Sequence, residues 1–409
     1  MRRYPFLLVP LVAAALLAFR RPLPVGCDAD NGGLTLAPGF CATLFAAVPG
    51  ARHIAVSSNG DLFVAAEGRA GGLFLLRDRD GDGHSDTTAT FMNGAGTGVA
   101  VTKDAVYFAP ADQVLRFGYR PGSLAPNGPA TVVVSGLPTG GHTAKTLALG
   151  KDGFLFVDHG SLTNSCQIED RKARSPGQQP CPELAVRAGI WRYDASKSNQ
   201  KPADGERWAT GFRNAMAIAV DPQSGALFGA SHGRDQLAAN WGFSDQDNAE
   251  KPAEEFVMIP KGTDLGWPYC YYDPIAKKKV QSPEYGGDGV VPGDCGQKSQ
   301  PLMAFPGHWA PLQLAFYHGA AFGSAFGTGA FLAFHGSWNR APLPQAGYRV
   351  VFIPFRGGKP TGQYSTFATG SAGETSLRPS GVAVAPGGTA LYIASDASGK
   401  IWRVIPTPK

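Results

Sequence analysis

One phrase recurs six times along this chain: a small or polar lead-in, an alternating apolar strand, a glycine-containing turn and a second apolar strand. The copies begin at Arg52 (RHIAVSSNGDLFVAAEG), Thr97 (TGVAVTKDAVYFAPADQVLRF), His142 (HTAKTLALGKDGFLFVDHG), Arg213 (RNAMAIAVDPQSGALFGASHG), Pro311 (PLQLAFYHGAAFGSAFGTGAFLAFHG) and Arg378 (RPSGVAVAPGGTALYIASDASGKIWRV). Turns at Asn59-Gly60, Asp152-Gly153, Ser224-Gly225 and Gly387-Gly388 tolerate the positive φ that tight hairpins require. A hairpin cannot bury both of its faces alone, so the copies are expected to pack radially. This predicts an all-β fold, a six-bladed β-propeller around a central channel, as one domain over residues 34–406; an irregular β-sandwich is the competing architecture.

The copies start about 45, 45, 71, 98 and 67 residues apart, which places insertions at roughly 160–185, 235–300 and 335–347. Long loops in a compact domain tend to serve function, and these are expected to wall a site at one mouth of the channel. Composition agrees with a large β domain. Charged residues are 17% of the chain, while 54 Gly and 33 Pro disfavour a helical bundle, a coiled coil or a charged disordered protein.

Residues 1–26 have the layout of an export signal: Arg2 and Arg3, an uncharged apolar run from Tyr4 to Phe19, then Arg20-Arg21. The run is short of the ~20 residues that span a bilayer, so the segment reads as a signal peptide or, uncleaved, as an N-terminal anchor, and no membrane span is expected in the mature chain. The protein is expected in the periplasm or outside the cell. Four leader arginines account for most of the formal +5 charge. The remaining basic residues are scattered, nucleic-acid binding is not expected, and Lys277-Lys278-Lys279 reads as a solvated loop tip. Six cysteines behind such a leader read as disulfides. Fifteen connectivities are possible, and the local pairing Cys27/Cys41, Cys166/Cys181, Cys270/Cys295 is favoured because each pair brackets a loop-like segment.

Arg52, His142, Arg213-Asn214 and Arg378 lead otherwise apolar inner strands and are expected to converge at the channel mouth. Guanidinium groups there suit a multiply anionic planar ligand, and His142 is the acid/base candidate. Asp78, Asp80, Asp82 and Asp86 around Gly83 resemble the first half of a calcium loop, although the twelfth position is Ala89; a structural calcium between blades one and two competes with a plain acidic turn. His53, His84, His159, His308 and His318 show no ligand spacing and read as surface or strand residues, and Trp267 reads as packing.

The segments GGHTAKTLALGKDGFLFVDHGS, ATGFRNAMAIAVDPQSGALFGASHGRDQL and GTDLGWPYCYY resemble the soluble quinoprotein glucose/sorbosone dehydrogenases. FLAFHGSWNR followed by GYRVVFIPF, and RPSGVAVAPGGTALYIASD, are similar to the sorbosone/pyranose dehydrogenase branch. The resemblance covers about residues 34–406 and implies a six-bladed propeller holding pyrroloquinoline quinone (PQQ) and Ca2+. It implies a PQQ-dependent sugar dehydrogenase acting on an aldose or a sugar aldehyde, with electrons passing to an external acceptor, a cytochrome or a quinone. By the same resemblance, His142 is the catalytic base and Arg213 stabilises charge at the quinone carbonyl. Arg52, Asn214, His335, Trp338, Arg340 and Arg378 contact the cofactor, and carbonyls of the His232-Gly233-Arg234 loop, at Gly233 and Arg234, ligate calcium. The chain departs from the glucose dehydrogenases at Arg234, where they have proline. It departs also at Ser380, in place of a second arginine, and at Ser161, in place of an acidic residue, and their fifth-blade lysine has no clear counterpart. A non-catalytic propeller that binds carbohydrate or protein, and a calcium-dependent lactonase-type hydrolase, are the alternatives.

Overall fold

The computed structural model describes residues 26–408, so the proposed leader lies outside the described residues. Six sheets stand around a central axis, antiparallel except where Thr263–Asp264 adds in parallel to the edge of blade three. The inner strands are Ala51–Val56, Gly98–Val101, Leu147–Leu149, Ala217–Val220, Pro311–His318 and Pro379–Val384, and each touches the next, with the last returning to the first. The propeller has six blades, and their inner strands are the six sequence copies. The ring closes through the N-terminal segment: Phe40–Ala47 pairs with Lys400–Pro406 as the outer strand of blade six, and Leu34–Leu36 adds to blade five beside Ser365–Gly370.

The reason the repeat must form a ring is visible in the core. Buried apolar residues fall into one cluster per blade interface, for example Phe63, Leu75, Val106 and Phe108 between blades one and two. Phe228, Phe256, Leu332 and Phe334 do the same between blades four and five. Each sheet thus buries both faces only when it has a neighbour on each side. The three disulfides are Cys27–Cys41, Cys166–Cys181 and Cys270–Cys295, the local set.

Three inner strands carry a register shift near the start: Ala51/Ile54, Pro311/Gln313 and Pro379/Gly381. Such bulges re-aim side chains at the end of a strand, here next to Arg52 and Arg378. Gln313 occupies the axis below them. Its Oε1 accepts from Ile54 N and Val382 N at 3.0 Å each, and its Nε2 donates to Ile54 O at 2.9 Å, so one amide joins blades five, six and one.

Two expectations need correction. The Asp78–Asp86 turn lies within blade one, between Gly72–Arg77 and Thr87–Asn93, not between blades one and two, because the third strand of the blade extends to Arg77 before the chain reverses. It leans on blade six, where His84 Nδ1 meets Leu44 O at 3.0 Å. Asp78, Asp80 and Asp86 bring carboxylate oxygens within 4.8 Å of one another, whereas Asp82 accepts a hydrogen bond from His84 N instead. Lys279 is not a solvated tip. It sits in a strand, fully buried, with Nζ 2.6 Å from Glu255 and 2.5 Å from Leu265 O, since the Lys278–Gln281 strand pairs with Cys270–Asp273 and turns this side chain inward.

Candidate active site

At the mouth where the inner strands begin, a cavity of about 370 Å³ is lined by Arg52, His142, Arg213, Gly233, His335, Trp338 and Arg378 among others. Arg52 comes from the inner strand of blade one, and the lead-ins to the inner strands of blades three, four and six deliver His142, Arg213 and Arg378. The connections after the second strands of blades three, four and five deliver Arg171, then His232, Gly233 and Asp235, then His335, Gly336 and Trp338. Gly336 has φ +94°, and a Cβ there would lie 2.2 Å from the Tyr348 ring, so only glycine lets this loop fold back over the blade.

His142 is fixed by Ser161. Its Nδ1 is 3.0 Å from both the carbonyl oxygen and Oγ of Ser161, and that hydroxyl donates onward to Thr163 O at 2.7 Å. A carbonyl only accepts, so Nδ1 carries the proton and Nε2 keeps its lone pair. Burial first, and then the Arg213 cation, lower the His142 pKa to about 3. The imidazole is therefore neutral at ordinary pH. Ser161 orients the ring without adding charge.

Arg213 is buried and held by Asn164, through its carbonyl at 3.2 Å and its Oδ1 at 3.1 Å, and by Asp235 Oδ2 at 2.8 Å. Asp235 also accepts from Arg171 Nη2 at 3.0 Å and lies 3.5 Å from His308 Nδ1. Despite the cost of burial, the Arg213 charge, the His308 contact and Arg171 hold the Asp235 carboxyl far below the usual range. Arg171 in turn lies 5.9 Å from the exposed Trp338 ring, a cation–π approach across the cavity mouth.

On the other wall, His335 Nε2 is 2.8 Å from Asp396 and its Nδ1 is 3.1 Å from Arg378 Nη2. Arg52 Nη1 pairs with the second Asp396 oxygen at 2.7 Å. Burial works against the Asp396 charge, but His335 and Arg52 bring its pKa down to about 2. His232 donates Nε2–H to Pro311 O at 2.7 Å. Glu254, also on the cavity wall, accepts from Gly233 N at 3.1 Å and Ala310 N at 3.2 Å, and burial raises its carboxyl to about 7.

Not every expected residue lies here. Arg340 does not line the cavity; it turns into the protein, donating to the Ala249 carbonyl, to Gly307 O at 3.3 Å and to Pro344 O at 3.1 Å, and pairing with Glu250 at 2.6 Å. Those carbonyls lie within its reach, and buried guanidinium donors must be satisfied. Arg340→Ala is thus expected to lower stability by about 2 kcal/mol, measured by thermal melts. Asn214 stands behind the wall, its Nδ2 3.5 Å from His232 Nδ1 and its buried Oδ1 unpartnered. The Arg234 side chain points away from the cavity to Glu284 at 2.7 Å, leaving only its main chain beside Gly233. His308 is neither a surface nor a strand residue: it is buried in a turn and lines the cavity, at φ +66°. Trp267 is packed, donating Nε1–H to Asn164 O at 3.0 Å.

Arg171, Asp235, Glu254 and Asp396 were not singled out from the sequence. Asp235 directly follows the His-Gly-Arg motif and Asp396 lies inside the last repeat, yet a carboxylate whose function is to hold an arginine has no spacing signature.

A curated relative, the pyrroloquinoline quinone-dependent pyranose dehydrogenase of Coprinopsis cinerea, is 26% identical over 254 residues, covering 53% of this chain and 34% of the relative. The chain thus spans about a third of that protein's length. Among solved structures, the holo form of the pyranose dehydrogenase PQQ domain from Coprinopsis cinerea has a TM-score of 0.76 at 20% identity, covering 91% of this chain and 97% of the other. The calcium structure of Trichoderma reesei Carbohydrate-Active Enzymes Family AA12 has a TM-score of 0.77 at 20% identity, covering 95% and 100%. At such identities these structures establish the shared fold. The family model described as TrAA12-like matches residues 34–407, the whole ring from the closing strand in blade five to the end of blade six, and the chain belongs to that family.

Proposed function

We propose that this protein is an exported PQQ-dependent oxidoreductase that oxidises an aldose or a sugar aldehyde, with His142 as general base. The single observation that supports this best is the placement of His142 on the wall of an arginine-rich cavity, its Nδ1 against the Ser161 carbonyl oxygen.

The residues present fit PQQ and calcium. Four arginines line the cavity against two carboxylates, Asp235 and Glu254, which suits a planar ligand with several carboxylates. Arg52 Nε is buried without a hydrogen bond, its nearest counter-charge being Glu67 Oε2 at 3.5 Å. Arg52, Arg378 and His335 would hold the carboxylates of the cofactor, with Trp338 covering it. No donor among the described residues is bonded to the Gly233 or Arg234 carbonyl, so both remain as oxygen ligands for Ca2+. Bound PQQ would supply the acceptor for the hydride that leaves the sugar carbon. Arg213, immobilised by Asn164 and Asp235, presents fixed positive charge where negative charge develops on oxygen. His142 Nε2 takes the hydroxyl proton of the substrate. The lactonase-type alternative is disfavoured because both cavity carboxylates are engaged, Asp235 by two arginines and Glu254 by two backbone N–H groups.

The proposed path of electrons is to an external acceptor, and the proposed location is periplasmic or secreted, supported by three disulfides. Among the described residues no helix is long and apolar enough to cross a membrane. Purified apo-protein mixed with PQQ and Ca2+ is expected to acquire a bound quinone spectrum at one equivalent and to reduce a dye with a pyranose or sugar aldehyde from a panel. Absence of bound quinone would overturn the proposal; binding without dye reduction by any sugar would remove the sugar from it.

A further inference from the structure

Behind the Gly233–Arg234 loop, on the side away from the arginine-rich cavity, lies a second, small cavity of about 30 Å³. Three of the segments that line it contribute Ser165 beside the Cys166–Cys181 disulfide, Arg234 in the loop itself, and Tyr271 next to Cys270 of the Cys270–Cys295 disulfide. All three side chains are buried, with 1%, 3% and 4% of their surface exposed. Ser165 Oγ, Arg234 Nη2 and Tyr271 OH each lack a hydrogen-bond partner. A buried polar group left unpaired costs roughly 1–3 kcal/mol, and three such groups on one cavity wall point to an occupant that pairs them.

The charges around the cavity identify its class. Arg234 is neutralised by Glu284 at 2.7 Å, Arg213 by Asp235 at 2.8 Å, and Glu255 by Lys279 at 2.6 Å. With each charged side chain on the cavity wall already paired, a neutral molecule that both donates and accepts is the occupant that meets all three groups. The space admits a water, which needs about 10–15 Å³ and two to four polar partners.

We propose that this cavity holds a resident water, or a pair of them, that accepts from Arg234 Nη2 and bonds the Ser165 and Tyr271 hydroxyls, so tying the Gly233–Arg234 loop to both disulfide-locked insertions. Arg234 is thereby a positioning residue: its side chain, anchored by Glu284 and the water, fixes the peptide whose carbonyl faces the other way. The water site stands independently of the functional reading; only its consequence for calcium rests on it.

The test combines density and a mutant cycle. A crystal structure at 1.5 Å or better is expected to show one or two water peaks within hydrogen-bond distance of Arg234 Nη2, Ser165 Oγ and Tyr271 OH. A dry cavity overturns the proposal, and so does an anomalous peak there after a bromide soak, which would make the occupant a halide. Ser165→Ala and Tyr271→Phe remove one hydroxyl each without adding bulk. Ser165 and Tyr271 share no direct hydrogen bond, so without a common water their effects on amide exchange of residues 232–236 would multiply independently. With it, each variant is expected to speed that exchange on the order of tenfold and the double variant little more. Multiplicative effects, or no effect of either, overturn the proposal. Ca2+ titration of the holo-protein followed by tryptophan emission, to which the cavity residue Trp267 contributes, is expected to show weakened affinity in the same variants. Normal calcium affinity together with coupled exchange would leave the water in place and overturn the positioning of the carbonyls.

Discussion

Replacing His142 with alanine is expected to lower kcat by about 10²- to 10⁴-fold, the usual contribution of a positioned general base, while PQQ still binds at one equivalent. The separation of the two readouts follows from the geometry. Among the described residues the His142 ring is held through Ser161, whereas of the proposed cofactor-holding residues Arg52 and His335 are joined through Asp396 and Arg378 bonds His335, none of them through His142. Loss of quinone together with activity would make His142 a binding residue instead. The pH profile provides a second check. Burial and Arg213 lower the His142 pKa to about 3, so the base is in its working form throughout the neutral and mildly acidic range. An acid limb of kcat/KM that lies near 6.5 and disappears in the variant would contradict this protonation state. The same shift sets the sign of a stability effect. Below about pH 6.5 the unfolded chain takes up a proton at His142 that the folded protein refuses, so this residue's contribution to stability falls as pH drops from about 6.5 toward 3. The alanine variant is therefore expected to lose less stability than the parent between pH 6.5 and 4.

The sequence was informative where physics acts locally. Strand-turn-strand alternation has a period of two, and glycine at a hairpin turn is dictated by φ, so the six copies and their inner strands are legible in the sequence itself. The arginines and the histidine that lead those strands were readable for the same reason, because the ring brings equivalent positions of every copy to one mouth. What stayed hidden depends on contacts between loops distant in sequence. Arg340 lies two residues from Trp338, yet one faces the solvent-filled mouth and the other reaches carbonyls of 249 and 307, a difference set by how the loop packs on blade four. Lys279 looked like the end of a basic run until its strand pairing turned it toward Glu255. His308 had no ligand spacing because its partners, Asn248 and Asp235, come from another insertion.

Asp235 is the strongest case of a residue whose importance exists only in three dimensions, and its removal is expected to have the largest structural effect of any single change at the site. One of its oxygens serves both Arg213 and Arg171, and the other faces His308. Arg213 is only 4% exposed, and its remaining partners are the neutral carbonyl and amide of Asn164. Asp235→Ala leaves that guanidinium charge buried without a counter-ion, which typically costs about 3–5 kcal/mol. The variant is expected to melt lower by several degrees or more and to turn over far more slowly, because Arg213 and Arg171 lose the anchor that aims them at the cavity. Asp235→Asn preserves shape and one acceptor oxygen but removes the charge, so its loss is expected to be smaller and to shrink further when PQQ is bound. The carboxylates of the cofactor would then act as the missing counter-ion. That rescue separates two origins of the stability loss. A defect of packing would be the same in the apo and holo forms, whereas an unbalanced charge facing the cavity is relieved by an anionic occupant. A melting temperature unchanged in both variants would mean that the Arg213 charge is balanced by something other than Asp235.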